Sequence, residues 1–257
     1  MPLRLQWVAF STILMREIRR FMRIWVQTLV PPAITMSLYF VIFGNLIGSR
    51  IGEMGGHSYM EFVVPGLIMM SVITNSYSNV VSSFFGAKFG HYIEEMLVSP
   101  VPNGVILSGY VLGGVARGLM VGVLVTALSL FFTELKIYNL AVTISVVILT
   151  SILFSLLGMI NAIYAKSFDD ISVIPTFVLT PLIYLGGVFY SIDLLPSFWG
   201  DVSQINPILY IVNAFRYGIL GYTDINVHFA FAMIGLSSIV AAVVCLYLLK
   251  TSKGLRH

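Results

Sequence analysis

Long stretches without a charged side chain dominate this 257-residue chain and restrict the environments in which it can fold. They cover residues 24–49, 62–87, 137–165, 171–192 and 225–249. A sixth stretch, residues 105–132, contains one internal cation, Arg117. Because a helix needs roughly 20 apolar residues to cross the hydrocarbon core of a bilayer, each stretch is long enough to span it. The pattern predicts an all-α integral membrane protein with six transmembrane helices.

The composition excludes an ordinary soluble domain. Hydrophobic residues make up 58% of the chain and charged residues only 10%, whereas about one quarter of the residues are charged in a typical soluble protein. No repeat or interdomain linker is visible, so we expect one membrane domain over residues 1–257. The single cysteine, Cys245, excludes a disulfide framework.

The boundaries follow from the charges and prolines that flank each stretch. We expect an interfacial helix over residues 1–25, spans at about 26–48, 62–86, 105–132, 137–165, 171–191 and 226–249, and short external helices at about 193–222.

The distribution of lysine and arginine predicts the orientation. One side carries Arg4, Arg16, Arg19, Arg20, Arg23, Lys88, Lys166, Lys250, Lys253 and Arg256, and the other carries Arg50, Lys136 and Arg216. Because cytoplasmic loops carry the excess of positive charge, both termini are expected in the cytoplasm.

The N-terminal segment is amphipathic. Trp7, Phe10, Leu14, Ile18, Phe21 and Trp25 share one helical face, and Arg16, Arg19, Arg20 and Arg23 lie on the opposite face. A helix of this kind lies along an anionic leaflet and contacts its lipids. The segment is therefore interpreted as an interfacial anchor, and docking of a cytosolic partner is the alternative.

A second amphipathic segment follows the second predicted span and ends at Pro100. One face carries Phe89, Tyr92, Ile93 and Met96, and the other carries Lys88, His91, Glu94 and Glu95. Such a helix can insert into a groove on a soluble motor subunit or rest on the lipid headgroups.

Polar residues also occur inside the predicted spans. Ser71, Thr74, Asn75, Ser78 and Ser82 form a stripe on the second span, which either packs against other helices or lines a path for a polar substrate. The third span spaces Gly114, Gly118 and Gly122 four residues apart, which predicts close helix approach. Because Arg117 lies at the depth of Thr74 and Asn75, a contact between Arg117 and the stripe is expected.

No motif in the chain supports catalysis. The sequence lacks a P-loop, a zinc-protease HExxH motif and a GxSxG nucleophile motif. The one adjacent aspartate pair is Asp169 and Asp170, which an intramembrane enzyme would need for a metal and which otherwise forms a solvated turn. No metal or cofactor is expected on this chain, and no nucleic-acid partner.

The segment before the last span predicts external helices too short to cross the membrane. Asn206 and Pro207 provide a cap and a first-turn proline for a helix that ends near Leu220. With Pro196, Trp199 and Arg216 they are candidates for a gate at the outer mouth, or for a cap that only protects the bundle.

At these residues the sequence resembles a known family. The run GGVFYSIDLLPSFW, then INPILYIVNAFRYGILG, and the earlier stretch IEEMLVSPVPNGVILSGY are similar to the pattern of the membrane subunit of ABC-2 type ATP-binding-cassette exporters. The plan of six spans behind an amphipathic helix is also similar, so the resemblance covers essentially the full chain.

The resemblance implies a homodimer bound to two copies of a separate ATPase in the bacterial inner membrane, with ATP and Mg held by the ATPase. Residues 88–98 would be the coupling helix, residues 1–25 the connecting helix, and the external helices a re-entrant pair near the exit. The substrate, whether drug-like, lipid or glycan, stays open. The alternative is a stand-alone secondary transporter, although no acidic residue lies in a predicted span to couple an ion.

Overall fold

The computed structural model describes residues 1–251, and almost all of its regular structure is helical. The α-helices are α1 (Leu3–Arg23), α2 (Trp25–Tyr39), α3 (Gly48–Ile51), α4 (Tyr59–Phe89), α5 (Tyr92–Val98), α6 (Asn103–Ser129), α7 (Leu140–Tyr164), α8 (Asp170–Ile174), α9 (Thr180–Tyr184), α10 (Ser197–Ile205), α11 (Pro207–Leu220) and α12 (Val227–Thr251). Two π-helical segments, Phe40–Ile47 and Pro175–Leu179, continue α2 and join α8 to α9, and a 3-10 turn covers Ile192–Leu194. Lys253 and Arg256, which the orientation prediction uses, lie outside the described residues.

Helix α4 forms the centre of the bundle. It has 31 residues, most of them buried, and it packs mainly against α6 and α7. A capping box starts it, because the Ser58 hydroxyl accepts from the Glu61 amide while the Glu61 carboxylate accepts from the Ser58 amide. Before it, a two-residue hairpin pairs β1 (Glu53–Met54) with β2 (His57–Ser58) in antiparallel register.

Glycines set the short distances between the central helices. A Cβ built at Gly114 would meet Ser155 and Val80, and one built at Gly118 would meet Ser76 and Ser151. The close approach expected from the spacing of the glycines in α6 is therefore present on both the α4 and the α7 side.

A further glycine, Gly158, brings α7 against the backbone of α4. A Cβ at Gly158 would lie 2.6 Å from the Tyr77 carbonyl oxygen. Because that neighbour is backbone rather than a flexible side chain, the gap cannot widen without separating the two helices.

Within residues 1–251, four helices are long and apolar enough to cross a membrane: Trp25–Gly44, Asn103–Ser129, Leu140–Tyr164 and Val227–Thr251. The long helix α4 carries the polar stripe and does not reach the same hydropathy. The expected fifth span ends early, because the helical segment Asp170–Tyr184 stops at a turn in which Gly187 has a φ of +68°. The structure thus supports a polytopic all-α protein, and the count of six spans stays a prediction.

The bundle has two distinct ends. One, called the α5 end below, carries α5 and the loop 165–170 that follows α7. The other, called the α11 end, carries the hairpin, α10 and α11. The side-chain clusters described next lie at these two ends and along α4.

Candidate functional site

Helix α5 is fixed to the bundle by one face only. The Ile93 side chain is buried at 1% exposure, whereas Phe89 and Tyr92 are 59% and 60% exposed. Glu94 and Glu95 are exposed as well, and Met96 is half-buried. The face predicted from periodicity therefore needs a correction: Ile93 anchors the helix to its own chain, and the free aromatic surface is formed by Phe89 and Tyr92.

Lys88 is likewise an anchor and not part of the exposed surface. Its ammonium group is buried and donates to the carbonyl oxygens of Ile163 at 2.6 Å and Ala165 at 2.7 Å. These carbonyls belong to the C-terminal end of α7, where the helix leaves its last acceptors unpaired and favours a cation. The contact ties the end of α4 that leads into α5 to the end of α7.

The loop 165–170 adds another aromatic side chain to the surface at the α5 end. The Phe168 ring lies 5.0 Å from the ring of Phe89 and 5.0 Å from that of Phe85, measured between centroids. Phe168 is more than half exposed, as Phe89 is. The exposed aromatic surface at this end, formed by Phe89, Tyr92 and Phe168, thus comes from two separate connections between long helices.

Asp170 holds this loop in its conformation. Its carboxylate accepts from the amides of Lys166 at 2.8 Å and Ser167 at 3.0 Å. The hydrogen bond from the Lys166 amide, with those from Ser167, holds the pKa of Asp170 below its usual range. The adjacent Asp169 makes no side-chain hydrogen bond or ion pair within residues 1–251, so only one carboxylate of the pair organises the turn.

We expect Asp170→Asn to loosen the loop, so that trypsin cleaves after Lys166 several-fold faster than in the wild-type chain. Asp169→Asn removes the same charge and is the matched control, with no expected change. Because the folded pKa is lowered, the stabilisation is complete above about pH 5 and is lost only as the pH falls through the folded value. A rate that differs between wild type and Asp170→Asn at pH 8 but not at pH 6 would contradict this account.

Helix α1 packs against α6 through a buried carboxylate. Glu17 is fully buried where Gly113 leaves room for it, and it pairs with Arg16 at 3.3 Å and Arg20 at 3.4 Å. Arg16 also donates to the Tyr110 hydroxyl at 2.5 Å. The helix predicted to lie on the membrane surface is therefore also joined to the bundle by hydrogen bonds and by a close helix contact.

Arg20 extends this network to α4. It donates to the Asn79 carbonyl at 3.0 Å and to the Asn79 side-chain oxygen at 2.8 Å. Arg19 and Arg23, in contrast, make no hydrogen bond or ion pair with any part of the chain that the structure describes. The four arginines predicted for one face thus divide into two that are held and two that are free.

The polar stripe of α4 satisfies itself locally. Ser71, Thr74 and Asn75 donate to carbonyl oxygens of the preceding turn of the same helix. Ser78 is exposed at the surface of the chain. Within residues 1–251, the side-chain hydrogen bonds of Ser71, Thr74 and Asn75 therefore stay inside α4. Ser82, at the α5 end of the stripe, accepts from Arg20 of α1 at 3.5 Å.

Arg117 does not make the expected contact with the stripe. Among the described residues no hydrogen bond joins it to Thr74 or Asn75, and its Nε atom is buried without a partner. The reason is geometric: the α6 stripe that holds Arg117 with Gly109 and Gly113 packs mainly against α1, at Ile13 and Glu17. Arg117 consequently lies within electrostatic range of Arg20.

At the α11 end, the buried Arg216 links several elements of the fold. It has no solvent exposure, and its guanidinium donates to the carbonyls of Phe62 at 3.2 Å and Gly187 at 2.7 Å and to the Asn213 side chain at 3.3 Å. Its Cζ atom lies 3.7 Å from the centroid of the Phe62 ring, a cation–π contact. One side chain thus joins α11, the start of α4 and the turn after α9.

The other residues proposed for an outer gate divide into buried and exposed groups. Asn206 caps α11 as predicted, accepting from the Ile208 amide at 3.0 Å and donating to the Leu182 carbonyl at 2.6 Å. Pro207 occupies the first turn of that helix. Pro196, which precedes α10, and Trp199 of α10 are exposed. A gating role for these five residues stays a prediction.

Sequence reasoning missed the partners that organise the α5 end, namely Glu17, Asn79 and Tyr110. One signal was available, because Glu17 is the only acid in α1 and lies one residue from Arg16 and three from Arg20. Nothing in the sequence pattern pointed to Asn79 or Tyr110, since each meets its arginine across a separation of more than 50 residues.

The long apolar helices, the buried arginines and the projecting short helix define a polytopic membrane protein. Comparison with known proteins narrows that class. Residues 8–220 match the sequence profile described as ABC-2 type transporter. The chain therefore belongs to the ABC-2 type transporter family, and it is a transport permease of that family.

Named relatives agree with this assignment. The chain is 59% identical over 254 residues to the inner membrane transport permease YadH of Escherichia coli strain K12, covering 99% of each chain. It is 25% identical over 193 residues to nodulation protein J of Rhizobium leguminosarum bv. trifolii, covering 74% of this chain and 73% of that one. The resemblance stated from the sequence is confirmed.

Proposed function

We propose that this chain is the membrane-spanning subunit of an ATP-driven exporter in the bacterial cytoplasmic membrane. In this proposal two copies form a homodimer with six spans each and cytoplasmic termini. A separate ATPase subunit binds ATP and Mg and docks at the α5 end. The substrate class, drug-like, lipid or glycan, is left open, and the export direction follows from the family resemblance.

The observation that carries the proposal is the exposed aromatic surface where α4 ends and α5 begins, at a junction that is firmly attached to the bundle. Phe89 and Tyr92 expose more than half of their surface beside Glu94 and Glu95. Exposed aromatic side chains rimmed by charges are typical of protein interfaces. The buried side chains of Ile93 and Lys88 attach the same segment to the bundle. A movement of a bound ATPase would therefore be transmitted to α4 and α7 together.

The polar stripe supports a transport role. Ser78 is exposed at the surface of the chain although it lies within the long helix α4. Because polar side chains avoid lipid, we expect the polar stripe to face a second copy of this chain or the transported molecule. The proposed homodimer would provide the first arrangement, and a transport path along α4 would provide the second.

The test is affinity purification of the tagged chain from its native membranes, with detection of a stoichiometric P-loop ATPase. The double variant Phe89→Asp/Tyr92→Asp places two charges on the exposed face and is expected to reduce ATPase recovery at least about tenfold, as loss of interface anchors does. Phe131→Asp/Phe198→Asp changes two other exposed aromatics, 84% and 66% exposed, and is the matched control. Ile93 is unsuitable for this test, since a charge at a buried anchor would destabilise the chain itself.

Equal ATPase recovery from the double variant and the control would remove α5 from the docking surface. A chain that purifies alone and moves solute in vesicles without ATP would overturn the proposal and favour a stand-alone secondary transporter.

A further inference from the structure

An open cleft of about 1000 Å³ lies at the α5 end between α1, the last turns of α4 and the start of α5. Four arginines line it: Arg16, Arg19, Arg20 and Arg23. Glu17 is the one acidic side chain in its lining, and hydroxyl groups of Ser11, Thr12, Ser82 and Ser83 complete its polar wall. The cleft therefore combines strong positive charge with several hydrogen-bond donors.

The cations in this cleft are partly positioned in advance. Arg16 and Arg20 are held by Glu17, by the Tyr110 hydroxyl and by Asn79. Arg19 and Arg23 have no hydrogen-bond or ion-pair partner in residues 1–251, although both line the same space. The guanidinium groups of Arg19 and Arg23 are thus available to a ligand, whereas Arg16 and Arg20 are held in place in the lining of the cleft.

The two arginines without a partner favour a particular kind of anion. Arginine presents a planar fork of donors that matches the oxygens of a phosphate and binds it in a bidentate manner. The cleft also has an apolar border at Met15, Ile24 and Ala87. Two exposed apolar side chains, Met22 of α1 and Trp25 of α2, lie next to Arg23 and Ile24 in the sequence. A ligand with a phosphate next to an apolar chain fits this combination.

We propose that the cleft binds the phosphate group of a phosphorylated amphiphile, with Arg19 and Arg23 contacting the phosphate and Arg16 and Arg20 shaping the wall. The inference goes beyond the proposed function, because it assigns a ligand to this chain without the ATPase. Tyr92 of α5 also lines the cleft, so a bound ligand touches the same helix that carries the proposed docking surface.

The experiment is native mass spectrometry of the purified full chain in a neutral detergent, titrated with dioleoyl phosphatidic acid. Phosphatidylcholine with the same acyl chains is the zwitterionic comparison, and inorganic pyrophosphate is the soluble competitor. We expect phosphatidic acid to bind at least about tenfold more tightly than phosphatidylcholine, the factor that one charge-assisted hydrogen bond contributes. The difference should shrink as ionic strength rises.

The decisive variant is Arg19→Gln/Arg23→Gln. It removes the two arginines without a partner and leaves the contacts of Glu17 intact, so α1 should stay packed. We expect about tenfold weaker binding of phosphatidic acid. The matched control is Arg4→Gln/Arg50→Gln, which removes two exposed arginines outside the cleft and should leave the affinity within about twofold.

The competition arm identifies the source of the phosphate and does not depend on any variant. Displacement of phosphatidic acid by pyrophosphate supports a site for the phosphate group itself, and binding of phosphatidic acid without displacement supports a lipid-borne phosphate. Equal affinity for the two lipids, or unchanged affinity of Arg19→Gln/Arg23→Gln, would overturn the proposal. Because these assays contain only this chain, their failure leaves the docking of an ATPase untouched.

Discussion

Replacing Arg216 with Met is expected to destabilise the folded chain by about 3 to 5 kcal/mol, as the loss of one partner from a buried charged network does. Three buried acceptors, the carbonyls of Phe62 and Gly187 and the side chain of Asn213, would each lose the hydrogen bond that Arg216 donates. The measurement is the melting temperature in detergent, followed by fluorescence-detected size exclusion, together with the yield of folded protein.

Two further variants make this prediction specific. Arg216→Lys keeps the charge but removes the planar fork, so we expect it to recover only a minor part of the stability. Arg50→Met removes an exposed arginine near the same end of the bundle and should change the melting temperature little. If the Arg216→Met variant is stable but loses transport, Arg216 acts in gating and does not stabilise the fold.

The second large effect is expected from Gly158→Leu. A side chain at this position would meet the Tyr77 carbonyl oxygen, which lies 2.6 Å from an ideal Cβ. Overpacking of a core typically costs about 1–3 kcal/mol, and here the obstacle is the backbone of the central helix. We expect a loss at the upper end of that range, about 3 kcal/mol, and poor recovery of folded protein.

Gly235 in α12 offers the matched control, since a Cβ there would meet nothing within 4 Å. Gly235→Leu should be neutral, and Gly235→Ala should stabilise the chain by up to about 1 kcal/mol, the ordinary gain of replacing a helical glycine. Gly158→Ala, in contrast, should destabilise the chain, because its Cβ would meet the Tyr77 carbonyl oxygen. If both alanine variants raise the melting temperature, the close contact between α4 and α7 does not limit the packing.

Much of the architecture could be predicted because bilayer thickness and charge act locally on the sequence. The helices α6, α7 and α12 begin and end close to the limits of the apolar stretches. The cap at Asn206 and the close approach at Gly118 also follow from short patterns. Features of this kind depend on residues within a few turns of each other.

The side-chain environments could not be predicted in the same way. Periodicity placed Lys88 and Ile93 on opposite faces of one amphipathic segment, yet both are buried. Lys88 is buried because it reaches the end of α7, which is 75 residues away in the sequence. Arg117 was expected to meet α4, but its face of α6 is turned toward α1. The fifth predicted span was too long because nothing in its hydropathy marks the turn at Gly187.

The central position and length of α4 have a mechanical consequence. At 1.5 Å per residue its 31 residues extend for about 46 Å. A tilt of only about 5° at one end would displace the other end by about 4 Å, comparable to one helical turn. Phe62, whose ring contacts Arg216, lies in the first turn of α4, and Lys88 lies in its last turn. A small rotation of α4 as a rigid body at the α5 end therefore displaces residues at the α11 end by several ångströms.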